Sequence, residues 1–130
     1  VDEQIERPRR RFQLAVTLAD DEYVIGNCGI RRKSGNEWEA DIGYELGPEH
    51  WGQGYATEAA QAMVDFGFRE LRLRRVSSWC IADNTASVRV LEKAGLRLEG
   101  RLRENECFKG RWWDTLLFGL LENEWRTAAK

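Results

Sequence analysis

The sequence predicts an α+β (mixed α/β) fold in which a central mixed, mostly antiparallel sheet is flanked by helices. Three patterns in the 130 residues carry that prediction. Residues 12–46 alternate apolar and polar side chains in runs punctuated by turn residues, as half-buried strands do. Two stretches, after Gly54 and after Asn84, switch to the 3.6-residue period of amphipathic helices, with a strand-like run between them. The last third returns to strand patterning around Lys109-Gly110, a plausible hairpin turn.

Phe12, Leu14, Val16 and Leu18 alternate with Gln13, Ala15, Thr17 and Ala19, and Asp20-Asp21 ends this first strand. Tyr23 to Arg32 reads as a second, and Ser34-Gly35-Asn36 turns the chain into a third. There Trp38, Ala40, Ile42, Tyr44 and Leu46 share one face, and Glu37, Glu39, Asp41, Gly43 and Glu45 the other. These three strands form a meander. In the helix that follows, Ala60, Met63, Val64, Gly67 and Leu71 fall on one side and Glu58, Gln61, Asp65, Arg69 and Arg72 on the other, over about four turns. Residues 74–82 (RRVSSWCIA) read as a strand. Asn84 then caps a helix whose inward face is Ser87, Val90, Leu91 and Ala94, stopped by Gly95. Leu96, Leu98, Gly100 and Leu102 alternate with Arg97, Glu99, Arg101 and Arg103, and Trp112–Leu121, apolar on both faces, is expected inside the sheet. The order is β-β-β-α-β-α-β-β. Its second half requires some parallel pairing.

One domain over residues 1–130 is expected, with 12–121 as its core and 1–11 as a residual leading segment. The 42% apolar and 32% charged residues suit a soluble globular chain, and no apolar run approaches the ~20 residues of a membrane span. VDEQIERPRR lacks a signal peptide's apolar stretch, which makes the cytoplasm the expected location. Cys28, Cys80 and Cys107 lie far apart without a C-x-x-C pair, and His50 is the lone histidine, so neither a disulfide framework nor a metal site is expected. A net charge of −2 exerts no general pull on nucleic acid, and Arg9-Arg10-Arg11 reads as a solvated edge.

The segment that raises a functional question is Trp51-Gly52-Gln53-Gly54-Tyr55-Ala56-Thr57, at the junction of the third strand and the first helix. A helix start leaves backbone N–H groups without partners and carries about half a positive charge, so it welcomes an anion. Glycines there admit φ > 0 and clear the approach of a phosphate, and Thr57 adds a hydroxyl donor. The segment is not a Walker loop, since no Lys follows the glycines, nor a Rossmann loop, whose third glycine would fall at Thr57. The plain alternative is a tight strand-to-helix turn.

GYELGPEHWGQGYATEAA resembles the coenzyme A loop of the GNAT acetyltransferases, with pattern [QR]-x-x-G-x-[GA]; Gly54 and Ala56 match, and Trp51 stands where Gln or Arg is usual. ADNTASVRVLEKAGLRLEG is similar to the second signature of the RimJ/RimL-type branch, which acetylates N-termini of ribosomal proteins and, in relatives, other amines. The likeness extends over roughly residues 12–121. It implies an acetyl-CoA-dependent N-acetyltransferase acting on a primary amine, a protein N-terminus or a small molecule, by direct attack in a ternary complex. The other reading it leaves is a non-catalytic CoA-binding or protein-interaction module. Backbone N–H groups from Gln53 to Thr57, with Trp51 and Gly52 in the same loop, would hold the diphosphate. Main-chain groups of Glu45 and Leu46 would pair with the pantetheine arm, as a strand-like ligand extends a sheet. Asn84 would contact the pantetheine or thioester and Ser87 would lie near sulfur. The resemblance implies a leading strand and two helices that wall the acceptor site, and with only about ten residues before Phe12 these are expected to be absent or incomplete in the sequence at hand. A homodimer is compatible with the basic edge and the apolar tail around Trp125.

Acetyl transfer needs a neutral amine, and an amine of pKa ~10.4 is overwhelmingly protonated near neutrality, so a proton acceptor is required. Glu106 occupies the place of the base proposed for RimL-like enzymes, counted from Ser87. In an unbroken strand Glu104 and Glu106 would continue the parity of Leu98 and Leu102; a bulge near Glu104 would return both acids to solvent. Ser87 could protonate the departing thiolate or bond locally in its helix. Glu39 and Asp41 are a second source of base or a solvated face. His50, beside the phosphate loop, is not nominated. Trp79, Trp112 and Trp113 read as core or groove wall.

Overall fold

Six strands and three helices build the described part of the chain: β1 (Arg11–Thr17), β2 (Val24–Arg32), β3 (Glu39–Leu46), α1 (Tyr55–Arg69), β4 (Arg75–Ile81), α2 (Thr85–Lys93), β5 (Arg97–Phe108), β6 (Arg111–Leu121) and α3 (Glu122–Ala128). The structure, a computed structural model, describes residues 11–17, 24–33, 35–47, 49 and 51–128. Leu18 to Tyr23, Ser34, His50, Arg9 and Arg10 therefore lie outside the described residues. The sheet runs β1-β2-β3-β4-β6-β5, with β3–β4 parallel and the other neighbours antiparallel. The meander, the mixed sheet and the interior place of β6 are as expected.

Alternation decides which face is buried. On β3, Ala40, Ile42 and Leu46 are buried while Gly43 and Glu45 are exposed. Pairing carries that buried face across the sheet: Ile30 lies opposite Ile42, Ala40 beside Val76, Val76 opposite Leu120 and Cys80 opposite Leu116. The helix α1 lays Ala60, Met63, Val64 and Phe68 on it and α2 adds Leu91, giving one continuous core. Gly67 lets α1 approach closely, because a Cβ there would stand 2.9 Å from Ile30 Cδ1. The opposite face presents exposed Gln13, Asn27, Gly43, Glu45 and Trp79.

Four local readings are corrected. Trp38 is exposed rather than inward, because β3 begins at Glu39 and Trp38 sits in the preceding bend with its N–H tied to Asn36 Oδ1 at 3.0 Å. Leu71 and Arg72 lie beyond α1, the turn closing with Arg72 at φ 56°. β5 does not keep period two: Leu98 pairs with Phe118 but Gly100 with Leu117, so a bulge at Glu99 puts Leu102 on the face opposite Leu98. Farther along, Arg103, Glu104 and Asn105 together oppose Asp114, with Glu104 at φ 50°. Asp114 holds this larger bulge by accepting from the Glu104 N–H at 2.8 Å and from Arg101 Nε at 2.8 Å. Glu104 and Glu106 are both exposed, as the bulged alternative requires. Finally, α3 was not anticipated; its Trp125 stacks on Phe68 at 5.2 Å and donates to Asp65 Oδ1 at 2.8 Å.

Candidate functional site

β3 and β4 run together only over Glu39–Asp41 and Arg75–Ser77. The Ser78 hydroxyl then donates to the Ile42 carbonyl at 2.9 Å, and past it the β3 edge from Gly43 to Leu46 has no β4 partner. The opening is a cleft of about 580 Å³ between the end of β3, the 51–54 loop and the leading ends of α1 and α2.

The loop is shaped for close approach. Gly52 and Gly54 have φ 75° and 84°, a left-handed conformation natural to glycine, with open space where a Cβ would stand. Trp51 anchors the loop to the strand through its indole Nε1, which donates to the Leu46 carbonyl at 3.0 Å. Gly54 is the N-cap of α1 and offers no capping side chain; its carbonyl accepts from the Glu58 N–H at 3.0 Å to close the first turn. The leading amides of α1 therefore face an uncluttered site at the positive end of the helix dipole. Arg89 and Lys93 of α2 line the same cleft and add positive charge.

Asn84 Oδ1 accepts from the Ser87 N–H at 3.1 Å and caps α2. The Ser87 side chain lies near the phenol of Tyr44, whose pKa is raised by burial, with the neighbouring Ser87 acting the other way. Tyr44 thus stays a protonated donor at the floor of the cleft. Its parity on β3 marks it as an inward residue, so only its hydroxyl signalled a site.

Glu45, Leu46, Trp51, Gly52, Gly54, Ala56, Thr57, Asn84 and Ser87 are brought together as cleft lining, while Gln53 and Tyr55 stand in the same loop and turn outside the lining. Glu106 is not among them: it lies opposite Trp113 on the β5–β6 arm, exposed and away from the cleft lining. Glu39 is engaged by Arg75 at 2.9 Å and Lys33 at 3.3 Å, and Asp41 by Arg31 at 3.2 Å. Tyr44, Arg89 and Lys93 are the polar lining residues that sequence reasoning missed, beside the apolar Ala86 and Val90; the two cations stand four residues apart on one face of α2, a signal the spacing did contain.

On the open face of the sheet a second, shallower groove of about 410 Å³ is bordered by Gln13, Asn27, Asp41, Glu45 and Trp79. Trp79 is a groove wall, 57% exposed; Trp112 is exposed, and Trp113 stacks on Phe108 at 4.9 Å. Among the described residues no cluster of three or more His, Cys, Asp or Glu is placed to hold a metal ion, and no helix is long and apolar enough to cross a membrane.

A splayed parallel strand pair leading into a glycine-rich helix start defines the class of protein, an acetyltransferase-type domain, and comparison with known proteins agrees. Residues 2–97 match the family described as the acetyltransferase (GNAT) domain, and the chain belongs to the GNAT acetyltransferase family. It is similar to the "Uncharacterized N-acetyltransferase p20" of Bacillus licheniformis, 39% identical over 124 residues that cover 95% of this chain and 68% of that protein. It is also similar to the ribosomal-protein-serine acetyltransferase of Escherichia coli, 32% identical over 110 residues, covering 85% of this chain and 62% of the relative. The crystal structure of a GNAT-family acetyltransferase from Bacillus anthracis superposes with a TM-score of 0.79 at 34% identity, covering 85% of this chain and 66% of that one. The chain spans about two thirds of the length of these relatives. The family generally uses acetyl-CoA as cosubstrate.

Proposed function

We propose that this chain is an acetyl-CoA-dependent N-acetyltransferase that transfers an acetyl group to a primary amine, a protein N-terminus or a small molecule, by direct attack in a ternary complex. The observation that carries this reading is the junction of two donor sets: the unpaired β3 edge from Gly43 to Leu46 and the side-chain-free start of α1 at Gly54. An amide-bearing arm can extend the sheet along the first, and a diphosphate suits the second. The residues present fit coenzyme A: a Cβ at Gly52 or Gly54 would meet nothing within 4 Å, leaving room for phosphate oxygens, and Arg89 and Lys93 stand opposite.

Acetyl-CoA would supply the activated acetyl group; the chain's own residues do the rest. The leading amides of α1 hold the diphosphate end, and β3 orients the arm toward Ser87. The Ser87 hydroxyl, in the same cleft as the Tyr44 phenol, would return a proton to the leaving sulfur. Direct attack is favoured over an acyl-cysteine relay, since Cys28 and Cys80 are buried with thiol pKa values pushed up by burial, and Cys107 is on the exposed arm. The free thiols also accord with the cytoplasmic location in this proposal. Glu106 remains the base that the family likeness nominates.

The test is release of free thiol from acetyl-CoA with a panel of small amines and peptides of different N-terminal residues, with mass-spectrometric detection of the acetylated product. Turnover with at least one amine is expected. Binding of acetyl-CoA without turnover on any amine would instead identify a CoA-binding or protein-interaction module.

A further inference from the structure

The two donor sets of the cleft are built separately. The end of β3 is held by its ladder with β2, in which Glu45 pairs with Asn27 and Leu46 with Gly26. The start of α1 is closed by its own first turn, from the Glu58 N–H to the Gly54 carbonyl, and Ala59, Ala60 and Met63 seat it in the core. Between the two runs the loop 47–53, which Gln53 braces on itself by donating from Nε2 to the Glu49 carbonyl at 3.2 Å. Neither set by itself fixes where the other stands.

Main-chain direction shows what the indole of Trp51 does. The Ile42 carbonyl points toward β4, where it accepts from the Ser78 hydroxyl at 2.9 Å. Main-chain groups change sides at each residue of a strand, so those of Tyr44 and Leu46 point the same way, into the gap that β4 has left. The Leu46 carbonyl is taken there by the Trp51 Nε1–H, at 3.0 Å. The bond thus sits at the corner where the strand edge ends and the loop begins. The Trp51 ring is 66% exposed and lies outside the core, so its N–H, and not burial, is what holds it. The edge then offers an amide-bearing arm the Tyr44 main-chain groups and the Leu46 N–H.

We propose that Trp51 is a positioning residue whose indole bond to the Leu46 carbonyl sets the span between the β3 edge and the start of α1, so that one ligand engages both; the proposal rests on the acetyl-CoA reading above. A ligand that bridges two sites gains over its halves only when the sites are held at a matching span. Holding the loop in place beforehand also removes the cost of ordering it on binding. Loss of the bond therefore weakens the whole ligand more than either half. A glutamine at this position can make the same bond, since its amide nitrogen stands as many bonds from Cβ as the indole nitrogen does; a phenylalanine has no donor.

The experiment is calorimetric titration of wild type, Trp51→Phe and Trp51→Gln with acetyl-CoA and, separately, with ADP and S-acetylpantetheine, which carry the diphosphate and the arm alone. Trp51→Phe is expected to bind acetyl-CoA about tenfold or more weakly than wild type, 1.4 kcal/mol or more, and to bind each fragment within about threefold of wild type. Trp51→Gln is expected to stay within about threefold of wild type for every ligand. Because the ring is exposed, both variants are expected to keep the thermal midpoint of wild type. An affinity of Trp51→Phe for acetyl-CoA within about threefold of wild type, or a loss on ADP as large as that on acetyl-CoA, would overturn the proposal and leave the acetyl-CoA reading standing. Equal weakening of the two variants would overturn it as well, since the effect would then belong to the ring and not to the donor. Wild type that gives no heat with acetyl-CoA would overturn both.

Discussion

Arg75 of β4 and Glu99 of β5 join in a two-pronged ion pair across the intervening strand β6, with Nη1 to Oε2 at 2.6 Å and Nη2 to Oε1 at 2.5 Å. The pair crosses at Gly119, where a Cβ would collide with the end groups of both side chains. Arg75 Nε also donates to Glu39 at 2.9 Å, tying β3 to the same knot. The hydrogen bond from Arg75 holds the Glu99 carboxyl below its usual range, so the pair stabilises the fold above the unfolded carboxyl pKa and loses that contribution as pH falls through the folded value. Because Arg75 is 29% and Glu99 37% exposed, the gain is at most about 1 kcal/mol. Glu99→Gln should lower the thermal midpoint slightly at pH 7 and show a smaller further loss than wild type between pH 5 and 3. Equal losses in acid would contradict the assignment.

Gly67 sets the distance between α1 and the sheet. Replacement by Ala gains about 1 kcal/mol of helix propensity but brings a methyl to 2.9 Å from Ile30 Cδ1, 3.1 Å from Leu73 Cδ1 and 3.3 Å from Val76 Cγ2. Overpacking of this kind costs roughly 1–3 kcal/mol. Urea unfolding of Gly67→Ala should therefore show a net loss of about 1 kcal/mol despite the better helix former.

Asn84 is both the cap of α2 and part of the cleft wall. Asn84→Ala should lose about 1 kcal/mol of stability, whereas Asn84→Asp keeps the cap. If the side chain also contacts coenzyme A, acetyl-CoA affinity measured by calorimetry falls for Asn84→Ala beyond the change in folding stability.

The Ser87–Tyr44 pair gives a kinetic expectation. Burial keeps the Tyr44 phenol protonated through the neutral range, so it serves as a donor and not as a base. Ser87→Ala and Tyr44→Phe should each reduce kcat by about 100-fold or more, the scale of losing proton donation, with acetyl-CoA affinity little changed. A loss confined to acetyl-CoA affinity would assign both residues to binding alone.

Much of the architecture was legible because local chemistry and global pairing agree. Lys109-Gly110 turns with φ 53° and 72°, and Gly95, at φ 100°, ends α2 as its position suggests. The bulge at Glu99 was not legible, because Arg-rich alternation from Arg97 to Arg103 reads as an even strand; a bulge near Glu104 was one of two readings, and what decides for it is Asp114, a residue on another strand. The helix α3 was hidden in ENEWRTA, which is short and polar, with Trp125 as its inward apolar anchor. The cleft's glycine loop was legible as chemistry. The open-face groove was not, since Glu45 and Trp79 meet only through the splaying of two strands that are far apart in sequence.

Calorimetric titration of wild type and Ala56→Glu with acetyl-CoA tests the central claim, that the start of α1 holds the diphosphate. A carboxylate in the first helical turn favours the helix itself, so the folding of Ala56→Glu is preserved while an anion at the same place is repelled. Wild type should bind one acetyl-CoA per chain, with a gain of about 2.7 kcal/mol in stability at 100 times the dissociation constant, and Ala56→Glu should bind at least about 30-fold more weakly, some 2 kcal/mol. Equal affinity in the two proteins, or no heat from wild type, would contradict the account.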